Sequence, residues 1–173
     1  MNILRHPDSI SFLLHPAEAL WLLHSFQELK QSYETSIELL PEKEQSYWKG
    51  TLTDPTHPDL PLNSESESLE LERLEWKSLR SVKTIEWLHQ FESFHTQKEF
   101  EFKIQKEDVD LLLQITNDRR LLLASTYDVC ESDMHHDHDK LPEDPKATAL
   151  IEIDFLAFFQ GILLQVLLDE SPL

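Results

Sequence analysis

The run Ala147-Thr148-Ala149-Leu150-Ile151-Glu152-Ile153-Asp154-Phe155-Leu156-Ala157-Phe158-Phe159-Gln160-Gly161-Ile162-Leu163-Leu164-Gln165-Val166-Leu167-Leu168 decides the fold. It is apolar nearly all round the helical repeat, and from Phe155 to Leu168 it carries no charge. That uncharged part is 14 residues long, against the roughly 20 that a bilayer span needs. Glu152 and Asp154 stand just before it. It therefore reads as a helix of a protein core, central and covered on several sides, and the rest of the chain is read as packing around it.

Working outward, apolar residues at helical spacing predict three more helices. The first runs over 16–34, opened by His15-Pro16 with Glu18 in its first turn and striped by Leu22, Phe26, Leu29 and Tyr33. Proline suits a first turn, whose N–H groups lack partners in any case, and the acid suits the positive end of the helix dipole. The second runs over 67–94, on Leu71, Leu74, Leu79, Val82, Ile85 and Leu88, with a break expected near Ser78 to Ser81. The third runs over 106–127, on Val109, Leu112, Leu113, Thr116, Arg120 and Leu123. Residues 9–14 and 99–105 read as strands, the latter because Phe100, Phe102 and Ile104 alternate with Glu101 and Lys103. The two segments echo one another, Phe12 aligning with Phe102, and each runs into an acid-started helix. The expectation is a mainly α, bundle-like single domain over 1–173 with a minor two-stranded β element. Two flexible excursions are expected, at about 41–68, where four prolines and a serine–glutamate run occur, and at 130–146. Tyr47-Trp48 is placed to pin part of the first excursion to the body.

Composition narrows the function classes. The 173 residues are enough for one domain with a real core. Gly50 and Gly161 are the only glycines, which argues against phosphate-cradling loops and dinucleotide fingerprints, both of which need a backbone without Cβ. The net charge is −18 and is strongest in residues 106–173, where five basic residues face fifteen acidic ones. Such a surface repels phosphate backbones and anionic lipids, so neither nucleic acid nor membrane is an expected partner, whereas a basic protein is. Cys130 is the single cysteine, which excludes an intramolecular disulfide and fits a reducing, cytoplasmic setting. The N-terminal residues do not read as a signal peptide.

The run Leu111-Leu112-Leu113-Gln114-Ile115-Thr116-Asn117-Asp118-Arg119-Arg120-Leu121-Leu122-Leu123 resembles the leucine-rich Asn-Asp-x-Arg helix of an uncharacterised bacterial family, a domain of unknown function often encoded beside the protease adaptor ClpS. Pro16-Ala17-Glu18-Ala19 is similar to the start of its first helix, and Phe155 to Leu163 to its closing helix. These matches cover about a third of the chain. Ala124-Ser125-Thr126 stands where the family has a Gly-Thr turn, and the histidine-rich insertion lies outside its pattern. The resemblance implies a small helical domain, connected with regulated proteolysis through gene neighbourhood, and supplies no activity.

Two constellations carry chemistry. Cys130-Glu131-Ser132-Asp133-Met134-His135-His136-Asp137-His138-Asp139 concentrates metal-binding side chains. His135, His136 and His138, completed by Asp133 or Asp137, are the candidate ligands for zinc or nickel. A solvated acidic loop is the favoured reading, because one stretch supplies every donor and no glycine shapes it. The second constellation is Asn117, Asp118 and Arg120. Arg120 falls within an apolar stripe, where a charge needs a partner. An ion pair with Glu152 or Asp154 is expected, and an anion-binding guanidinium is the alternative. No nucleophile elbow, P-loop or CxxC pair occurs. The sequence points to a protein–protein interaction or regulatory domain rather than an enzyme, with a metal-binding or metal-sensing protein as the alternative.

Overall fold

The computed structural model describes residues 1–49, 53–54, 57–61, 63–96, 98–130, 133 and 144–170. Its elements in chain order are β1 (Asn2–Arg5), β2 (Ser9–Leu14), α1 (Pro16–Glu34), α2 (Glu42–Lys49), β3 (Thr53–Asp54), β4 (His57–Pro61), α3 (Asn63–Gln90), β5 (Phe100–Gln105), α4 (Val109–Thr126) and α5 (Pro145–Glu170). Short 3-10 turns stand at Ile37–Leu39, Phe91–Ser93 and Lys106–Asp108. The protein is mainly α with a minor β element.

The sheet has three strands in the order β1-β2-β5, all antiparallel, so the expected pair gains a third strand at the N-terminus. Asn2–Arg5 is too short and too exposed to show a buried alternation. β2, flanked on both sides, is buried at every residue but Leu13, including Ser9 and Ser11. β5, at an edge, keeps the clean alternation of a half-buried strand. The register sets Phe12 opposite Phe102, the two residues that align in the sequence echo. Their rings stack at 6.3 Å, and Phe12 meets Phe159 of α5 edge-on at 5.3 Å.

α1 has the bounds its sequence predicts. The His15 Nδ1 accepts from the Ala17 N–H, and Glu18 Oε2 accepts from the His15 N–H at 2.8 Å, closing the first turn. The core gathers Phe26, Trp87, Phe91, Phe100 and Phe102 between α1, α3 and the sheet. α4 packs chiefly on α5, and α1 chiefly on α3.

Residues 41–68, read as an excursion, include α2, β3, β4 and the first turns of α3 among the described residues. Trp48, with 5% of its surface exposed, anchors α2 to the core, as expected. Three expectations are corrected. α3 is continuous through Ser78 to Ser81. Its buried face is also not the leucine face: Lys77, Thr84 and Trp87 are buried, whereas Leu71, Leu74, Leu79 and Val82 are exposed. Finally, α5 is longer and less covered than expected. Pro145–Leu168 is long and apolar enough to cross a membrane by length and composition alone, and 44% of its most apolar window is buried. Leu156, Phe159, Leu163 and Val166 face the core, while Ile151, Phe158, Leu164 and Leu168 face outward.

Candidate functional site

Asp118 lies on α4 with 3% of its surface exposed, a costly place for a carboxylate unless donors surround it. Three do. The Tyr33 hydroxyl donates to Oδ2 and the Tyr47 hydroxyl to Oδ1, each at 2.6 Å, and Arg80 Nη1 donates to Oδ2 at 2.6 Å. These donors come from α1, α2 and α3, so four helices converge on one carboxylate. Arg80 is itself fixed by Gln114 Oε1 at 3.1 Å and lies over the Trp76 ring at 5.8 Å. Burial, and then the Asp118 charge, push the Tyr33 hydroxyl well above its ordinary value. A carboxylate offers about four acceptor positions, and three are filled here. Asp118 is a fastener, poorly placed to attack or to take a proton from a substrate.

Trp48 forms the wall beside this centre. It packs edge-on against Tyr33 at 5.6 Å and Tyr47 at 4.9 Å, and its indole N–H donates to Ser32 Oγ at 3.3 Å. The Ser32 hydroxyl in turn donates a hydrogen bond to Glu44 Oε2 at 3.0 Å. The Lys77 ammonium stands over the Trp48 ring, 5.5 Å from its centroid, and donates to the Thr35 carbonyl at 2.5 Å. Burial lowers the Lys77 pKa, opposed by the charges of Glu44 and Glu38. A cation at this place is favourable because the last carbonyls of α1 point at it. Two hollows flank Trp48. One of about 640 Å³ lies between the end of α1, Ser36–Glu38 and α3, and one of about 220 Å³ opens beside Tyr47, Trp76 and Arg80.

The residues after Asp118 reach other neighbours, because successive helical side chains turn by about 100°. Arg119 grips Glu152 of α5 with two bonds, Nε at 2.7 Å and Nη2 at 3.1 Å, and Ser25 of α1 donates to the same carboxylate at 2.8 Å. Arg120 Nη1 donates to Gln160 Oε1 at 2.5 Å, and Gln160 returns a bond to the Thr116 hydroxyl at 3.2 Å. Glu152, an expected partner of Arg120, is held by Arg119 instead. The Arg120 Nε is buried without a hydrogen-bond partner. Asn117 is exposed. Of the three sequence candidates, only Asp118 lies at the four-helix centre.

Sequence reasoning missed Tyr33, Tyr47, Arg80 and Arg119 as members of this network. A signal existed for one of them. Arg119 belongs to the polar stretch Thr116–Arg120 set between leucine runs, and Glu152 interrupts the apolar run of the last helix, and opposite charges so placed on different helices invite pairing. Tyr33 and Tyr47 look like core aromatics, and nothing local marks their hydroxyls.

The metal candidates fare differently. His135, His136, Asp137 and His138 lie outside the described residues. Asp133 is described: its carboxylate accepts from the Cys130 N–H at 2.8 Å and pairs with Lys146 at 2.8 Å. Those contacts, the backbone bond first, hold it well below the usual carboxylate range. Among the described residues no group of three or more His, Cys, Asp and Glu is arranged to hold a metal ion.

No curated relative and no solved structure matches the chain. The sequence pattern of a family described as Domain of unknown function (DUF2017) matches residues 2–167. That match spans nearly the whole fold described above, and the chain belongs to this family.

Proposed function

We propose that the protein is a non-enzymatic interaction or regulatory domain that engages a basic protein partner through α3. The observation that carries this reading is the outer face of that helix. Leu71, Leu74, Trp76, Leu79 and Val82 are exposed there, interleaved with exposed Glu72, Glu75 and Glu86. Among the described side chains the nearby cations are already committed, Lys77 to the Thr35 carbonyl, Arg80 to Asp118, and Lys83 to Asp108 at 2.9 Å. What these described side chains offer outward is apolar and acidic, and apolar patches of this kind mark contact surfaces. A partner presenting apolar side chains among lysines and arginines complements it in both respects.

The engaged state of Asp118 supports the same reading, since this buried carboxylate is filled by the protein's own donors. The cytoplasm is the compartment proposed with it, in keeping with a single cysteine. A link to regulated proteolysis comes with the resemblance of the leucine-rich run, and makes protease adaptors and their substrates the first partners to examine.

Affinity purification at native expression levels, comparing the wild type with a Leu79→Ser/Val82→Ser variant, tests the proposal. Surface changes of this kind leave stability within about 0.5 kcal/mol. The expected result is a basic partner recovered by the wild type, weakened by added salt, and reduced at least tenfold by the variant. Equal recovery by both proteins would remove α3 as the docking face.

A further inference from the structure

Lys77 lies on the inward face of α3 with 4% of its surface exposed, and it lines the hollow of about 640 Å³ between the end of α1, Ser36–Glu38 and α3. What holds it there is neutral. Its Nζ donates to the Thr35 carbonyl at 2.5 Å and stands 5.5 Å from the centre of the Trp48 ring. Among the described residues no carboxylate accepts a bond from it, and Glu44 and Glu38 act on it through charge alone. Burial without such a partner lowers its pKa, so more of the amine is free near neutral pH than an exposed lysine offers. A desolvated lysine with a lone pair to give, set in the wall of a cavity, meets both requirements of an imine-forming site.

We propose that Lys77 is a carbonyl-binding site, at which its ε-amine condenses with an uncharged aldehyde seated in the hollow to form an imine. The Nζ lone pair bonds to the carbonyl carbon while the C=O π pair moves to oxygen, which gives a carbinolamine. The oxygen then leaves as water with the two protons that the nitrogen gives up, and the C=N bond forms. Nothing is oxidised or reduced. The surroundings suit the product as well as the amine. Once protonated by solvent, the imine carries one N–H and a positive charge, so the Thr35 carbonyl accepts from it and the Trp48 ring faces it as they do the ammonium.

The walls select the class of aldehyde. Tyr33, Ile37, Trp48 and Leu74 supply apolar and aromatic surface, and the volume is that of a small-molecule site. Glu34 and Glu38 line the same hollow, and Glu44 lies within electrostatic reach of Lys77. In a chain of net charge −18 these carboxylates turn away keto acids and phosphorylated aldehydes. The ligand is therefore an uncharged aldehyde with an apolar or aromatic body.

Benzaldehyde is the probe. The whole chain is incubated near neutral pH with it and with cyanoborohydride, which fixes any imine as a secondary amine, and labelled peptides are followed by mass spectrometry. Lys77 is expected to label roughly tenfold faster than the exposed Lys98 and Lys103, despite its burial. In strong urea the three rates should converge, because the advantage belongs to the fold. Glyoxylate, an aldehyde that carries a carboxylate, should show no preference for Lys77. Leu74→Trp narrows the mouth of the hollow at an exposed position and leaves Thr35 and Trp48 in place. It should slow the labelling of Lys77 and leave Lys98 and Lys103 unchanged. Labelling of Lys77 no faster than that of the exposed lysines, or a preference that survives in urea, would overturn the proposal. So would an equal preference with glyoxylate, or a Leu74→Trp protein that labels like the wild type. The measurement needs no partner, so its failure leaves the α3 proposal standing, and failure of the α3 test leaves this one.

Discussion

Four consecutive residues of α4 do separate jobs. Asn117 faces solvent, Asp118 fastens α1, α2 and α3, Arg119 fastens α1 and α5 through Glu152, and Arg120 binds Gln160. Tyr33 has a measurable consequence at this scale. Its hydroxyl keeps its proton in the fold to a higher pH than its ordinary value of 10.0. Its contribution to stability is therefore complete below about pH 10 and is lost as pH rises towards the folded value, because only the unfolded chain releases the proton in that window. Tyr33→Phe should cost about 1–3 kcal/mol at neutral pH, where Asp118 loses a donor. The gap to the wild type should then narrow by roughly 1.4 kcal/mol per pH unit above pH 10. Urea unfolding across pH 8 to 11 checks this, and parallel stability curves for the two proteins would refute it. The sequence singled out Asn117, Asp118 and Arg120, but neither Arg119 nor which arginine meets which acid. Helical phase separates neighbours by about 100°, and a shift of one position changes the partner.

At the scale of elements, α5 has two unlike faces that composition alone cannot separate. Leu156 is fully buried, whereas Phe158, two residues on, is largely exposed. Leu156→Ala should cost about 2–5 kcal/mol, the range for a buried leucine that leaves a cavity. Phe158→Ala should cost less than about 0.5 kcal/mol. Similar losses in denaturant titrations would mean that the outer face is covered within the chain itself. α3 shows the same difficulty from the other side. Its leucines announce a helix by their spacing, yet the residues that face the core are Lys77, Thr84 and Trp87. A lysine on an inward face becomes acceptable only when a carbonyl and an aromatic ring are waiting for it, as Thr35 and Trp48 are. α1 was legible to the residue because proline and a reciprocal cap mark its start locally.

For the whole molecule, the acidic charge and the histidine run bear on the remaining alternative. Titration calorimetry with zinc and with nickel should give the same weak heats for the wild type and for a His135/His136/His138→Ala variant, as a solvated acidic loop requires. Roughly micromolar binding that disappears in the variant would establish a metal site instead. The sequence by itself determined the helical class, the two strands, the bounds of α1 and the acidity, because periodicity, capping and charge are written in near neighbours. Only the tertiary structure decided which faces are covered, that Asp118 is shared by four helices, and that Lys77 lies inside while Leu79 and Phe158 lie outside. Those outcomes depend on contacts between residues far apart in the chain, and a helix with apolar residues on more than one side leaves its orientation to its neighbours.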